Sequence, residues 1–309
     1  MPLRIAISGS SGLIGTAVTD FLVQSGHAVT PIIRSSTPIK INRRVIRWKI
    51  LSGEIDKDKL EGLDAVIHFS GANIASQRWN EEFKRELVAS RVKSTLLLCS
   101  TLARLKKPPR VLLSASAIGY YGNVPPQDRK DESSPRGMDF MADLCYEWEA
   151  ATRTAKEHGI RVVHLRMGMV LSSLGGALAK MLPVFKLGLG GKLGSGNQMI
   201  SWIALEEIPK IVAHLLNKEK IVGAVNLVSP NAVSNSEFTR VLAKVLNRPA
   251  FFSVPEFAVK KMFGEMGELL LLNGANIVPT QILKSGYQFV YPDLQMALEH
   301  CLNNKSSAA

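Results

Sequence analysis

Gly9, Gly12 and Gly15 recur every third residue in Ser8-Gly9-Ser10-Ser11-Gly12-Leu13-Ile14-Gly15. An apolar run, Leu3 to Ile7, precedes them, and Ala17, Val18, Phe21 and Leu22 follow at helical spacing. Strand, glycine turn and helix in this order form a phosphate cradle. The first glycine permits a sharp turn, the second lets a pyrophosphate approach the backbone, and the third lets helix pack on strand. The N–H groups and partial positive charge of the helix start then face the anion. Gly9 to Gly15 are therefore candidate dinucleotide contacts, including Ser10, Ser11, Leu13 and Ile14.

Arg34 ends the next apolar run, 19 residues after Gly15, where a site for NAD would carry a carboxylate on the ribose 2′-hydroxyl. A guanidinium there suits a 2′-phosphate, which favours NADP(H). Ser35, Ser36, Arg43 and Arg44 are weaker candidates for the same collar. Asp64 to Asn73 reads as a strand ending in small residues. His68, inside its apolar run, is expected to be structural. Val111 to Gly122 reads as a further strand running out into hydroxyl side chains, which at the carboxyl end of a parallel strand face the ligand crevice. Ser116 is the first candidate for contact with a reacting oxygen, and Ser114 the second.

The Gly-x-x-Gly-x-x-Gly spacing and the serine-bearing strand resemble the short-chain dehydrogenase/reductase superfamily, extended branch. That resemblance implies a helix with a Tyr-x-x-x-Lys pair, the tyrosine acting as general acid or base. No such pair exists here: the residues four positions after the five tyrosines are Val124, Pro125, Ala150, Tyr291 and Gln295. On the helix expected over 140–158, Met141 takes the tyrosine's place and Cys145 the lysine's. Tyr120 and Tyr121 remain, either as proton donors or as packed aromatics.

This departure narrows the resemblance to the atypical, epimerase-like family 39U of that superfamily. Its carriers are Arg78-Trp79-Asn80, Ser90-Arg91, Leu165 to Leu171, Gly188 to Gly191, Gly194 to Gly196, and a C-terminal block from Asn247 through Gly264-Glu265-Met266 to Gly286-Tyr287-Gln288-Phe289. The resemblance implies NADP(H) as cofactor, with Arg34 at the 2′-phosphate, Phe69, Ser70 and Gly71 on the adenosine side, and Glu86 and Arg91 on the next helix. Ser114 and Cys145 complete the expected cofactor contacts, with Ser116 and Tyr120 as candidate catalytic groups. Two functions stay open: an NADP-dependent oxidoreductase or epimerase-like enzyme, and a catalytically silent NADP(H)-binding sensor or partner-binding protein.

The elements that would position these residues read as a Rossmann-type, doubly wound parallel α/β sheet with a small, mostly helical C-terminal substrate lobe. Residues 1–230 form the expected nucleotide domain, with a substrate-lobe insertion at about 172–200, and residues 231–309 the lobe. Pro31 predicts a partly irregular second strand, and Gly188 to Gly196 a flexible loop over the substrate pocket. Composition is that of a soluble globular chain, with 46% hydrophobic and 21% charged residues. No apolar run reaches the ~18 residues of a membrane span, and the first strand starts by Leu3, so no leader and no membrane partner are expected. Cys99, Cys145 and Cys301 lie far apart, as expected of reduced thiols in a cytoplasmic protein without a metal site. The net charge of +12 suits an anionic ligand, as do Lys180, Lys186 and Lys192. Scattered cations with few aromatics argue against nucleic acid. A small-molecule substrate and a monomer or homodimer are expected. The terminal Ser306 to Ala309 is expected to be disordered.

Overall fold

In a computed structural model describing residues 1–38 and 44–303, eight strands form one sheet: β1 (Arg4–Ser8), β2 (Ala28–Arg34), β3 (Ile46–Lys49), β4 (Glu54–Ile55), β5 (Ala65–His68), β6 (Val111–Ala117), β7 (Arg161–Met167) and β8 (Gly223–Leu227). Their spatial order is β8-β7-β6-β5-β1-β2-β3-β4. All pair in parallel except β4, which runs antiparallel to β3. The order reverses between β1 and β5, and ligands of open parallel sheets bind at the carboxyl ends of strands at such a switch point.

Strand residues alternate between two cores, as the twofold period of a strand requires. Ile5, Ile7, Ile67, Leu113 and Leu165 pack with Val18 and Leu22 of α1 (Leu13–Gln24) and with Ile208, Ile211 and Leu215 of α6 (Glu207–Asn217). Ala6, Val66, Leu112 and Val162 pack on the other face, against Leu98 and Leu102 of α2 (Glu81–Leu102) and Ala155 of α4 (Arg153–Glu157). The helix expected over 140–158 is thus two pieces, α3 (Phe140–Ala150) and α4. Pro31 does not interrupt β2, because pairing with β3 begins only at Ile32.

A third core joins Leu178, Leu182 and Phe185 of α5 (Gly176–Lys186) to Phe238 and Leu242 of α7 (Asn235–Leu246), Trp202, and Leu298 of the helix Leu294–Asn303. The glycine-rich run differs from the flexible loop expected of it. Gly191–Leu193 is a strand paired in parallel with Phe252–Val254, and a Cβ on Gly191 would lie 2.0 Å from the Phe252 carbonyl oxygen.

Two of the blocks that carry the family resemblance, those around Glu265 and Tyr287, dock the C-terminal residues on the sheet domain, and the block around Trp79 shapes the start of α2. Buried Glu207 accepts from the Tyr287 hydroxyl at 2.5 Å and from the Val290 and Tyr291 amides at 2.5 and 2.7 Å. Lys84 of α2 pairs with Glu265 at 3.2 Å. The Trp79 indole donates to the Ile74 carbonyl at 2.8 Å, and Asn80 caps α2 by accepting from the Phe83 amide at 2.7 Å. Lys40 to Arg43, and with them the collar candidate Arg43, lie outside the described residues, as does the terminal Ser306 to Ala309.

Candidate functional site

The glycine turn sits at the switch point, and its three glycines answer to three different causes. Gly9 has φ +69°, and a Cβ there would lie 2.8 Å from the Phe69 carbonyl carbon. Gly15 would drive a Cβ to 2.1 Å from the Gly9 oxygen. Gly12 has neither constraint. Its φ of −80° and ψ of 167° suit any residue, and a Cβ would meet only the Gly9 oxygen, at 3.4 Å. Nothing inside the protein requires glycine at 12, and without a side chain its backbone is open to the close approach of a ligand. Gly12 is also the N-cap of α1, with no side chain capping it and no acidic residue in the first turn, an arrangement whose amides and partial positive charge could take an anion.

Around this turn the structure gathers the ends of β2, β5 and β6. Arg34 is exposed at the end of β2. The Ser35 hydroxyl donates internally, to the Trp48 carbonyl at 3.1 Å. Phe69 and Ser70 are half-buried beside Gly9, and Gly71 lies against Arg91, whose guanidinium carbon would be 3.3 Å from a Cβ at 71. Buried Arg91 donates to the Leu87 and Ala72 carbonyls at 3.1 and 3.0 Å and lies 5.1 Å from the Trp148 ring centre. Glu86 is exposed on the same helix, and no bond joins it to Arg91. Cys145 is buried, and burial pushes its thiol up to about 12, so a neutral thiol stands in the place of the expected cation.

Beneath the crevice, on the face covered by α2, α3 and α4, two rows of polar residues cross the sheet. Ser8, His68, Ser114 and His164 are aligned across β1, β5, β6 and β7, and Ser116, Arg166 and Asn226 across β6, β7 and β8. In the first row His68 is wholly buried between the Ser8 hydroxyl at 2.6 Å and the Thr95 hydroxyl at 2.9 Å. Burial lowers it to about 4, so it is a neutral support under the glycine turn. Ser114, next in the row, has a buried hydroxyl with no partner, an arrangement that costs about 1–3 kcal/mol until something pairs with it.

The second row is charged. Arg166 grips Glu149 of α3 with two bonds, 2.7 and 2.8 Å, and the Ser116 hydroxyl donates to the same carboxylate at 2.7 Å. Burial opposes the charge on both partners, but their mutual hydrogen bonds outweigh it, lowering the carboxylate and raising the guanidinium. Arg166 also donates to the Tyr121 hydroxyl at 3.0 Å, and Tyr121 donates to Asn226 at 2.8 Å. The Tyr120 ring lies on the Arg166 guanidinium, 3.4 Å from centroid to carbon. Tyr120 itself is half-buried, and its hydroxyl makes no hydrogen bond within the described residues. Ser116, by contrast, is 1% exposed and committed to Glu149.

Residues 5–228 match the NAD dependent epimerase/dehydratase family, and residues 254–301 a domain of unknown function, DUF1731. This chain belongs to the NAD dependent epimerase/dehydratase family. Within that family it is 41% identical to the epimerase family protein Mb2239 of Mycobacterium bovis over 295 residues, 95% of this chain and 96% of that one. The crystal structure of human epimerase family protein SDR39U1 (isoform 2) with NADPH superposes with a TM-score of 0.87 at 34% identity, covering 98% of this chain and 100% of that one. A nucleoside-diphosphate sugar epimerase from Corynebacterium glutamicum gives a TM-score of 0.79 at 31% identity, covering 98% of this chain and 59% of that one.

Glu149, Arg166 and Asn226 were not singled out as site residues by sequence reasoning, and Tyr121, considered there as a proton donor or a packed aromatic, is buried with its hydroxyl held by Arg166 and Asn226. A signal existed: Ser114 and Ser116, and His164 and Arg166, are polar pairs two apart in otherwise apolar buried strands, so each pair must share one sheet face.

Proposed function

We propose that the crevice binds NADP(H) and that the chain is an NADP(H)-dependent oxidoreductase or epimerase-like enzyme acting on a small molecule. The observation that carries the reading is Gly12, a glycine with no internal reason to be one, at the uncapped start of α1 and at the switch point of the sheet. Gly9 to Gly15 would hold the pyrophosphate, Phe69 to Gly71 would flank the adenosine, and exposed Arg34 would take the 2′-phosphate. The NADPH in the human relative's structure agrees with this choice. When bound, the nicotinamide supplies or accepts a hydride. Residues 1–230 would serve the cofactor, and residues 231–309, with the insertion at 172–200, the substrate.

Tyr120 is the group that presents a proton. It stands in the short turn that follows β6, its hydroxyl without a hydrogen bond among the described residues, and the Arg166 guanidinium under its ring fixes its orientation. Ser116 acts through Glu149 as a positioning residue. Its hydroxyl and Arg166 hold that carboxylate from two strands, which locks α3 against the end of β6. General acid catalysis contributes about 10²–10⁴-fold, so Tyr120→Phe should lower NADPH-dependent reduction by that factor while leaving NADPH affinity unchanged. Aldehydes, ketones and quinones form the substrate panel.

The second reading, a silent NADP(H)-binding sensor, has one observation in its favour. Met141 and the neutral, buried Cys145 stand where the expected acid and its lysine would be. Tight NADPH binding with no turnover of any substrate in the panel would select it.

A further inference from the structure

We infer that the outer end of the C-terminal lobe is a docking surface for an anionic lipid bilayer. The surface lies on the segments that the proposed function gives to the substrate, but the inference uses none of the cofactor or proton-donor residues and does not depend on that reading. Two segments lie side by side there. Gly191–Leu193 pairs with Phe252–Val254, a Cβ on Gly188 would lie 3.3 Å from Pro249, and the Arg248 guanidinium donates to the Lys186 carbonyl at 2.9 Å. Both segments expose large apolar side chains. Phe251 is 90% exposed, Leu187 74% and Phe257 73%, with Val184, Leu189 and Phe252 around half exposed. A cluster of this kind on a folded surface marks an interaction site.

Charge decides the partner. No acidic residue occurs between Glu157 and Glu206, or between Glu237 and Glu256, the two stretches that supply most of this surface. Lys186 and Arg248 are exposed beside the apolar cluster, and Lys192 lies one strand away. A second copy of this chain docking symmetrically would bring the same basic patch against itself, and like charges in register repel. A membrane surface rich in anionic lipid reverses the sign of that interaction, and the phenylalanines and leucines enter the acyl boundary. Among the described residues no helix is long and apolar enough to cross a membrane, so the contact is peripheral. Such a contact differs from the sequence-based expectation of no membrane partner, because a peripheral surface needs no spanning helix.

The test is flotation of the full chain with phosphatidylcholine vesicles and with phosphatidylcholine vesicles containing phosphatidylglycerol, at low and high salt, with sedimentation analysis of the chain alone. The expected result is flotation only with the anionic vesicles, weakened by salt. Phe251→Ser combined with Phe257→Ser should abolish it, and Lys186→Glu should weaken it roughly tenfold. All variants should keep the wild-type melting temperature. Absence of flotation, or equal flotation with neutral vesicles, would overturn the inference. So would a dimer dispersed by the phenylalanine substitutions in a chain that does not float.

Discussion

The two ends of the crevice are built from opposite materials. At the β1 and β5 end, the surface offered to a ligand is mostly backbone, three glycines and free helix amides, with two cations beside it, exposed Arg34 and buried Arg91 against Gly71. At the β6 and β7 end it rests on buried charge, with Glu149 and Arg166 satisfied by each other, by Ser116 and by Tyr121. The first end is open to an outside partner and stabilises little by itself. The second already has its partners and holds the strand ends and α3 together. Binding and architecture are therefore separable by substitution, and Tyr120 is the residue on the border between them.

The largest expected effect falls on the charged end. Arg166→Met leaves Glu149 buried and unpaired, which should cost about 3–5 kcal/mol of stability in urea unfolding. Adding Glu149→Leu should recover much of that loss, since an apolar pair of similar volume is often neutral. If the single variant loses under about 1 kcal/mol, the network is not the structural unit described here.

The uncharged polar row should show itself through pH. Burial holds His68 near 4 when folded, against an ordinary 6.5, so as pH falls the unfolded chain takes up the proton first. Stability is then full above about pH 6.5 and declines between about 6.5 and about 4, by up to about 3 kcal/mol. His164, also lowered by burial, adds in the same direction. His68→Gln should flatten this part of the profile, and an unchanged slope would assign it to other groups.

Next come the glycines, which break the comparison at a single element. Gly15→Ala places its Cβ against the Gly9 oxygen and should destabilise by about 1–3 kcal/mol, as overpacking does. Gly12→Ala should leave stability within about 0.5 kcal/mol of wild type, yet weaken NADPH binding at least about tenfold. Equal affinity in Gly12→Ala would remove the main reason for placing a ligand there.

The same contrast explains what could be read from the residues alone. A phosphate cradle made of backbone needs particular residues at fixed local spacing, and so Gly9, Gly12 and Gly15 announce it. The strand runs and the parallel sheet were legible for the same reason, because alternation and glycine turns are local. The Glu149 and Arg166 site was not, since its members lie on α3, β6, β7 and β8 and come together only through sheet register. The glycine-rich run 188–196 misled in the same way. Its Gly191 serves a strand pairing with Phe252–Val254, some sixty residues on, and most of the others meet side chains from elsewhere in the chain, which no local spacing reveals.

The central claim is that the open end of the crevice holds NADP(H), with Arg34 reading the 2′-phosphate. Calorimetric titration of the wild type and Arg34→Ala with NADPH and NADH tests it directly. The account predicts that NADPH binds at least about tenfold more tightly than NADH, and that Arg34→Ala erases the difference while NADH binding persists. If neither dinucleotide binds the folded wild-type protein, the glycine turn is structural and the account fails.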